Sequence, residues 1–342
     1  MGKGAFAVER PADVLMQWLK ATKVVDFSDF RDIACGGDRV RAWRETSKLI
    51  EAGIVRAAGH PGDGRKRCLV LTAKGARELG VEVSAHRVIR SSQLGWFILR
   101  SRLYVRLLKA GFAPEAILGR KEALEKYRLD PQETYLAWVI ADPGPYCLYV
   151  PWPTGYGSKV YRSVNNTEGR GIWFEGHVLV HDTLESWRYD RRRFLRNCPP
   201  GRFLLLRYDQ LGELKVAPGE RTRDVGILFE AIAPGGRLTR APIGTPLPLV
   251  YTRRGSMLVG DMRLDDISLA ARVIALTGEM VGGWNGVTLV MRDEAHAADW
   301  ARFFGNRRWL WYLTASTLGL YQYDGKRLLY VGGAKRRESA TR

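Results

Sequence analysis

Two domains that mix helix and strand, a small α+β one and a larger α/β one, are what this sequence predicts. Three observations carry the prediction. At 342 residues the chain exceeds the roughly 150 residues of one average domain. Residues 11 to 54 are dominated by helical periodicity and end in a Gly/Pro-punctuated basic segment. From Thr134 onward, short apolar and aromatic runs alternate with amphipathic stretches, the pattern of a mixed sheet with interleaved helices. The predicted boundaries are 1–85 for the first domain, 86–133 for a helical connector, 134–334 for the α/β domain and 335–342 for a basic tail.

The first helix is signalled by Pro11 and by Val14, Leu15, Trp18 and Leu19 at helical spacing. Asp26 or Ser28 can cap a second, short helix over FSDFRDIAC, which Gly36-Gly37 stops. Asp38 caps a third. Val40, Trp43, Ile50 and Ile54, with small Ser47, read as its core face, and Arg41, Arg44 and Lys48 as a basic stripe beside it. Two strands, near Val55-Arg56 and Cys68-Leu71, then flank a loop carrying Arg65, Lys66 and Arg67, and LTAKGARELG turns into a capped helix.

Three helices followed by a basic-tipped hairpin resemble the winged helix-turn-helix domains of the MarR type. The phrase LIEAGIVRAAG…GRKRCLVLTAKG is similar to their third helix, wing and following turn. The resemblance spans about residues 10 to 85 and implies binding of double-stranded DNA. A helix fits the major groove of B-DNA with its polar side chains against base edges. Arg39, Arg41, Arg44, Thr46 and Lys48 are the residues expected there, with Arg65, Lys66 and Arg67 on phosphates or in the adjoining minor groove. The alternative is a winged helix used for protein contacts, its basic face solvated.

Composition agrees with a polyanionic partner. Lys plus Arg number 54 against 36 Asp plus Glu, a formal charge of +18. The four cysteines, Cys35, Cys68, Cys147 and Cys198, contain no CxxC half-site, which argues against structural zinc and for reduced thiols. MGKGAFAVERPADVLMQWLK lacks the apolar core of a signal peptide, and GWFILRSRLYVRLL, the most membrane-like run, holds three arginines. A cytoplasmic protein with no membrane partner is the expectation.

In the remainder, GWFILRSRLYVRLLKAGF reads as a helix buried on more than one side and APEAILGRKEALEKYRL as a second. YLAWVIAD, YCLYVPW, GHVLVHD and RFLLLRYD read as strands, with a basic helix, DTLESWRYDRRRFLRNC, between the last two. VGILFEAIA, PLPLVYT and GVTLVM read as further strands, DISLAARVIALTGEMV and DEAHAADWARFFG as helices, and Asp324-Gly325 as a hairpin turn in the closing LGLYQYDGKRLLYVGG.

This layout, with the phrases RLLKAGF, LAWVIADPG, CLYVPW and LGLYQYDGKRLL, resembles the plasmid replication-relaxation and MobC-type mobilisation proteins. That resemblance implies a restriction-endonuclease-like α/β domain, which when active holds divalent metal on an Asp and a Glu-x-Lys. Glu213-Leu214-Lys215 supplies the tripeptide, and Asp190 or Asp209 an aspartate, but QLGELK looks like a turn and Asp190 falls in a predicted helix. The fold without an intact active site is therefore expected, with no catalytic residue, metal or cofactor. His177 and His181 would share one strand face, read as wet, with no evident third ligand. Arg188, Arg191, Arg192, Arg193 and Arg196 cover over half a helix. They read either as a second contact to the DNA backbone, Arg191, Arg192 and Arg193 foremost, or as a solvated face paired with local acids; Arg253-Arg254 and Arg307-Arg308 could extend the surface. The leading expectation is a sequence-specific DNA-binding protein of a mobile element, acting in replication, relaxation or mobilisation. Other proteins of such a complex, or a second copy in a homodimer, could be further partners. A transcriptional regulator with a ligand-sensing or oligomerising C-terminal domain, and a metal-dependent nuclease, are the alternatives.

Overall fold

The computed structural model describes residues 10–60, 63–81, 91–131, 136–151, 156–169, 171 and 173–333. The predicted 335–342 tail and the join at 85–86 lie outside them. The chain divides into two compact units: Met1–Phe174 with Val178–Asp182 and Arg207–Lys215, and Glu175–His177 with Thr183–Leu206 and Val216–Arg342. Helices and sheets occur in both, so the chain is of mixed α/β class.

In the first unit, helix α1 (Pro11–Thr22) buries Val14, Leu15, Trp18 and Leu19, the predicted face. Strand β1 (Val24–Asp26) follows, and the Asp26 carboxylate accepts the Ser28 amide to start α2 (Phe27–Asp29), which continues as a π-helical turn through Ala34. Gly36 and Gly37 take positive φ and end it. Asp38 caps α3 (Arg39–Glu51) by accepting the Val40 and Arg41 amides. Strands β2 (Val55–His60) and β3 (Asp63–Leu71) pair antiparallel, giving a three-stranded sheet in the order β1-β3-β2. After α4 (Ala73–Glu78), the long α5 (Ser91–Lys109) packs Leu94 and Ile98 on Val24, Cys68 and Val70 of that sheet, and also buries Leu103, Val105 and Leu107.

The single helix predicted over APEAILGRKEALEKYRL is instead three pieces: a 3-10 turn at Pro114–Ala116, strand β4 (Ile117–Leu118) and helix α6 (Arg120–Lys126). Ile117 and Leu118 pair with Ile140 and Val139 of β5 (Trp138–Ile140), so sheet pairing overrides the local helical pattern. Strand β6 (Tyr146–Tyr149) lies beside β5. The unpredicted helix α7 (Tyr156–Gly169) leads towards β7 (Gly176–His181), which neighbours β6.

The second unit contains α8 (Leu184–Arg196), β8 (Phe203–Arg207) and α9 (Pro218–Ile232), then β9 (Arg237–Arg240), β10 (Leu249–Thr252), β11 (Ser256–Asp261), α10 (Ile267–Ala275), β12 (Val287–Met291), α11 (Glu294–Phe304), β13 (Leu310–Thr314), β14 (Gly319–Tyr323) and β15 (Leu328–Gly333). Strands β9 to β15 form one sheet in sequence order. The β11-β12 and β12-β13 pairs, joined by helical crossovers, are parallel, and the other neighbours are antiparallel. VGILFEAIA is not a strand but the end of α9 and its C-cap Ala233; Val225 and Phe229, four residues apart, join Tyr251, Val259 and Leu313 in the core. The helix expected over DISLAARVIALTGEMV stops at Ala275, where the Arg307 guanidinium donates to the Val273, Ile274 and Leu276 carbonyls. Arg307 is thus occupied as a helix cap, contrary to its expected place on a DNA-facing surface.

The element order also repeats. β6 and β11 begin 110 residues apart, at Tyr146 and Ser256, and α8 and α11 likewise, at Leu184 and Glu294, each capped by the residue before it, Thr183 or Asp293. No helix among the described residues is long and apolar enough to cross a membrane.

Candidate nucleic-acid interface

Helix α3 is turned differently from the sequence expectation. Its buried positions are Ala42 and Thr46, both 0% exposed, whereas Val40 is 68% and Trp43 46% exposed. The Thr46 hydroxyl donates to the Ala42 and Trp43 carbonyls, each at 3.0 Å, so its one polar group is satisfied within the helix and can be buried. Thr46 therefore faces the core and not a groove of DNA, which corrects its place among the predicted contacts. Arg39, Arg41, Arg44 and Lys48 are exposed. Lys48 lies 3.5 Å from Glu45, a loose pairing for a charge that is well exposed.

Trp43 is outward but anchored. Its ring meets Phe27 edge-on at 6.1 Å, and the Arg67 guanidinium lies 5.8 Å from its centre. Lys66 and Arg67 on β3 are exposed; the Arg65 side chain lies outside the described residues. Between α2, the start of α3 and β3 runs a groove of about 830 Å³, with Phe27, Arg31, Arg39, Trp43, Lys66 and Arg67 among its walls. Sequence reasoning missed this groove because Trp43 was assigned to the core, and Phe27 and Arg31 were read only as parts of a short helix.

Asp26, which lines the groove, and nearby Asp29 form charge pairs with α5. Asp26 accepts from Arg102 at 2.5 Å and from the Ser28 hydroxyl at 2.6 Å, and Arg106 donates to Asp29 at 3.1 Å. Burial pushes the Asp26 carboxyl up, but Ser28 and Arg102 outweigh it and hold it below its ordinary range. For Asp29 burial wins over Arg102 and Arg106, and its pKa is raised. The acidic side chains here are thus structural partners of α5 and not free charges opposing a polyanion.

The arginine helix α8 splits into two roles. Arg191 is 5% exposed: its guanidinium pairs with Asp299 at 2.6 Å and lies 4.6 Å, 4.9 Å and 5.3 Å from the ring centres of Trp187, Trp300 and Phe303. It cannot reach DNA, and its predicted contact is withdrawn. Burial lowers the Arg191 pKa, and Asp299 and the aromatic faces of Trp187, Trp300 and Phe303 offset part of that desolvation cost. Arg192, Arg193 and Arg196 are exposed, and Arg188 lies 3.4 Å from Asp299. Asp190 is buried, which pushes its carboxyl up to about 6 although Arg193 opposes the shift.

The candidate metal residues do not converge. Glu213 and Lys215 sit in a 3-10 segment, Tyr208–Lys215, as their turn-like sequence suggested, and Lys215 donates to the Gly111 carbonyl at 3.0 Å. Asp209 pairs with Arg207 at 2.8 Å. His177 and His181 are both buried, not on a wet face, because flanking elements cover both sides of β7; burial lowers His181 to about 3. Among the described residues no group of three or more His, Cys, Asp or Glu side chains could hold a metal. Buried Asp265 centres a polar cluster unforeseen in the sequence. It receives Trp300 Nε1 and His296 Nε2 at 2.7 Å and Arg292 at 2.9 Å, while His296 Nδ1 accepts the Arg292 amide at 3.2 Å. That bond fixes the proton on Nε2, so the cluster ties the turn before α10 to α11 and has no nucleophile to activate.

Comparison with protein families, curated proteins and solved structures gives no match.

Proposed function

We propose that the chain is a sequence-specific double-stranded-DNA-binding protein whose first unit carries a winged helix-turn-helix, with α3 as the reading helix and the β2-β3 hairpin as the wing. The observation that carries the reading is that exposed Arg39 on α3 and exposed Lys66 and Arg67 on the hairpin line one groove, with Arg41, Arg44 and Lys48 exposed on the same helix. Arginine forks suit base edges and phosphates, and the net charge of +18 attracts the duplex. The second unit, whose mixed sheet suits the restriction-endonuclease-like layout that the family resemblance implies, would lie against flanking DNA or a partner protein, with Arg192 and Arg193 as backbone contacts. Replication, relaxation or mobilisation of a plasmid or other mobile element is the setting proposed for it, on that same resemblance.

The test is selection of bound sequences from a random duplex pool, followed by titration of the selected site. Arg41→Ala with Arg44→Ala should erase the preference, at ~1–3 kcal/mol for each lost base contact. Unchanged affinity and preference in the double variant would refute α3 as the reading helix.

A further inference from the structure

The groove beside α3 holds features that duplex binding alone leaves unexplained. Trp43 and Val40 present exposed apolar surface in a groove that also holds four cations, Arg31, Arg39, Lys66 and Arg67. In a stacked duplex the base edges of the major groove offer a side chain a single apolar group, the thymine methyl. The flat face of a base is open to an aromatic ring only once the base leaves the stack. Trp43 is well placed for that encounter: Phe27 buttresses it edge-on, Arg67 stands over it, and the adjoining space of about 830 Å³ is within the roughly 300–1,000 Å³ of small-ligand clefts. Arg39, Lys66 and Arg67 on the walls supply positive charge for the phosphates on either side of such a base. Asp26, in the groove wall, is engaged by Arg102, and Asp32 by the wall residue Arg31 at 2.6 Å.

We propose that the groove between α3 and β3 receives one unstacked nucleobase from a single-stranded stretch adjoining the duplex, stacked on Trp43 with its phosphates against Arg39, Lys66 and Arg67. The proposal rests on the reading of α3 and the hairpin as a DNA-binding face. It adds that the preferred target is a junction of duplex and single strand and not an uninterrupted duplex.

The experiment compares three fluorescein-labelled probes bound by the full-length chain: a blunt duplex, the same duplex with a short thymidine tail, and the same duplex with a tail of equal length made of abasic sites. The abasic tail carries the phosphates without the bases. Stacking of one base on an aromatic side chain corresponds to about 5- to 150-fold in affinity, so the thymidine tail should bind tighter than the abasic tail by a factor in that range. Trp43→Ala should bring the ratio to about one, and Trp43→Phe should keep most of it. Thermal unfolding by circular dichroism establishes that both variants are folded. Equal binding of the two tails, or a ratio that survives Trp43→Ala, overturns the proposal. Competition by a glutamate-rich peptide as effective as the thymidine-tailed duplex also overturns it, since the groove would then recognise acidic protein. Should the blunt duplex fail to bind while the Trp43-dependent ratio persists, the duplex reading falls and the base site stands; the converse result removes only the base site.

Discussion

Arg191→Ala is predicted to unfold the second unit more easily without acting through DNA. The guanidinium occupies a slot between Trp187, Trp300 and Phe303 and carries the charge opposite Asp299. Removing one member of a buried ion pair costs ~3–5 kcal/mol, because the other charge is left uncompensated. Asp299 keeps some solvent access, with its side chain 21% exposed, which sets this part near the lower end. Lost contact with the three rings adds roughly 0.5–2 kcal/mol. A total of about 3–5 kcal/mol is a large share of the ~5–15 kcal/mol that stabilises an average domain. With a urea dependence of about 2 kcal/mol per molar, it moves the midpoint down by roughly 1.5–2.5 M. Urea titration followed by far-ultraviolet circular dichroism measures this directly. Arg191→Lys should fall between wild type and alanine, since lysine keeps the charge but not the planar stack. Arg192→Ala with Arg196→Ala, at exposed positions, should stay within about 0.5 kcal/mol of wild type. An Arg191→Ala protein as stable as wild type, with weaker affinity for DNA, would refute the inward assignment and restore Arg191 as a contact.

Acid should act on two buried groups in opposite directions. His181, held at about 3, binds fewer protons folded than unfolded, so its contribution is lost as the pH falls from about 6.5 towards 3, at ~1.4 kcal/mol per unit; His181→Leu should flatten that loss in urea titrations at pH 7.5 and 5. Asp190, raised to about 6, holds a proton in the folded state and gains stability as the pH falls from about 6 to 4, so Asp190→Asn should be stabilising at neutral pH with its advantage shrinking at pH 5. Lys66→Ala with Arg67→Ala should weaken cognate and random duplexes alike and reduce the slope of log affinity against log salt by up to about 1.8; a loss confined to the cognate site would mean that the hairpin reads bases. Supercoiled plasmid incubated with the protein in Mg²⁺ or Mn²⁺ is expected to remain intact, and metal-dependent nicking abolished by Glu213→Gln would make the chain a nuclease.

Local chemistry was legible wherever one residue type settles the matter. Asp26 and Asp38 accept helix-start amides, Gly36 and Gly37 close a turn at positive φ, and Asp324 accepts the Lys326 and Arg327 amides in the last hairpin, all as their sequence contexts implied. The strands YCLY and FLLLR stood out as short, almost wholly apolar or aromatic runs, and GHVLVH as an apolar one, though its two histidines were read as facing water when both faces of the strand are buried. The same rule misfired at VGILFEAIA, where an unbroken apolar run has no period to separate a strand from a helix. The polar helix α7 went unseen for the opposite reason, having no continuous apolar stripe to announce it. The 110-residue recurrence of β-α-β-α elements lies in spacing and caps more than in residue identity, as Thr183 and Asp293 illustrate.

By itself, then, the sequence determined the mixed class, the chain positions of most helices and strands and the positive field, because these follow from periodicity, capping and composition, which are local or additive. Only the tertiary structure decided which way each helix is turned. Consecutive helical residues differ by about 100° in direction, and local pattern alone does not decide whether α3 turns Trp43 or Thr46 to the core. The choice rests on what packs opposite: Phe27 and Arg67 hold Trp43 at the groove, while the self-satisfied hydroxyl of Thr46 can enter the core. Arg191 and Arg192, neighbours of one type, part for the same reason, since Trp187, Trp300 and Asp299 stand on one side of α8 and water on the other.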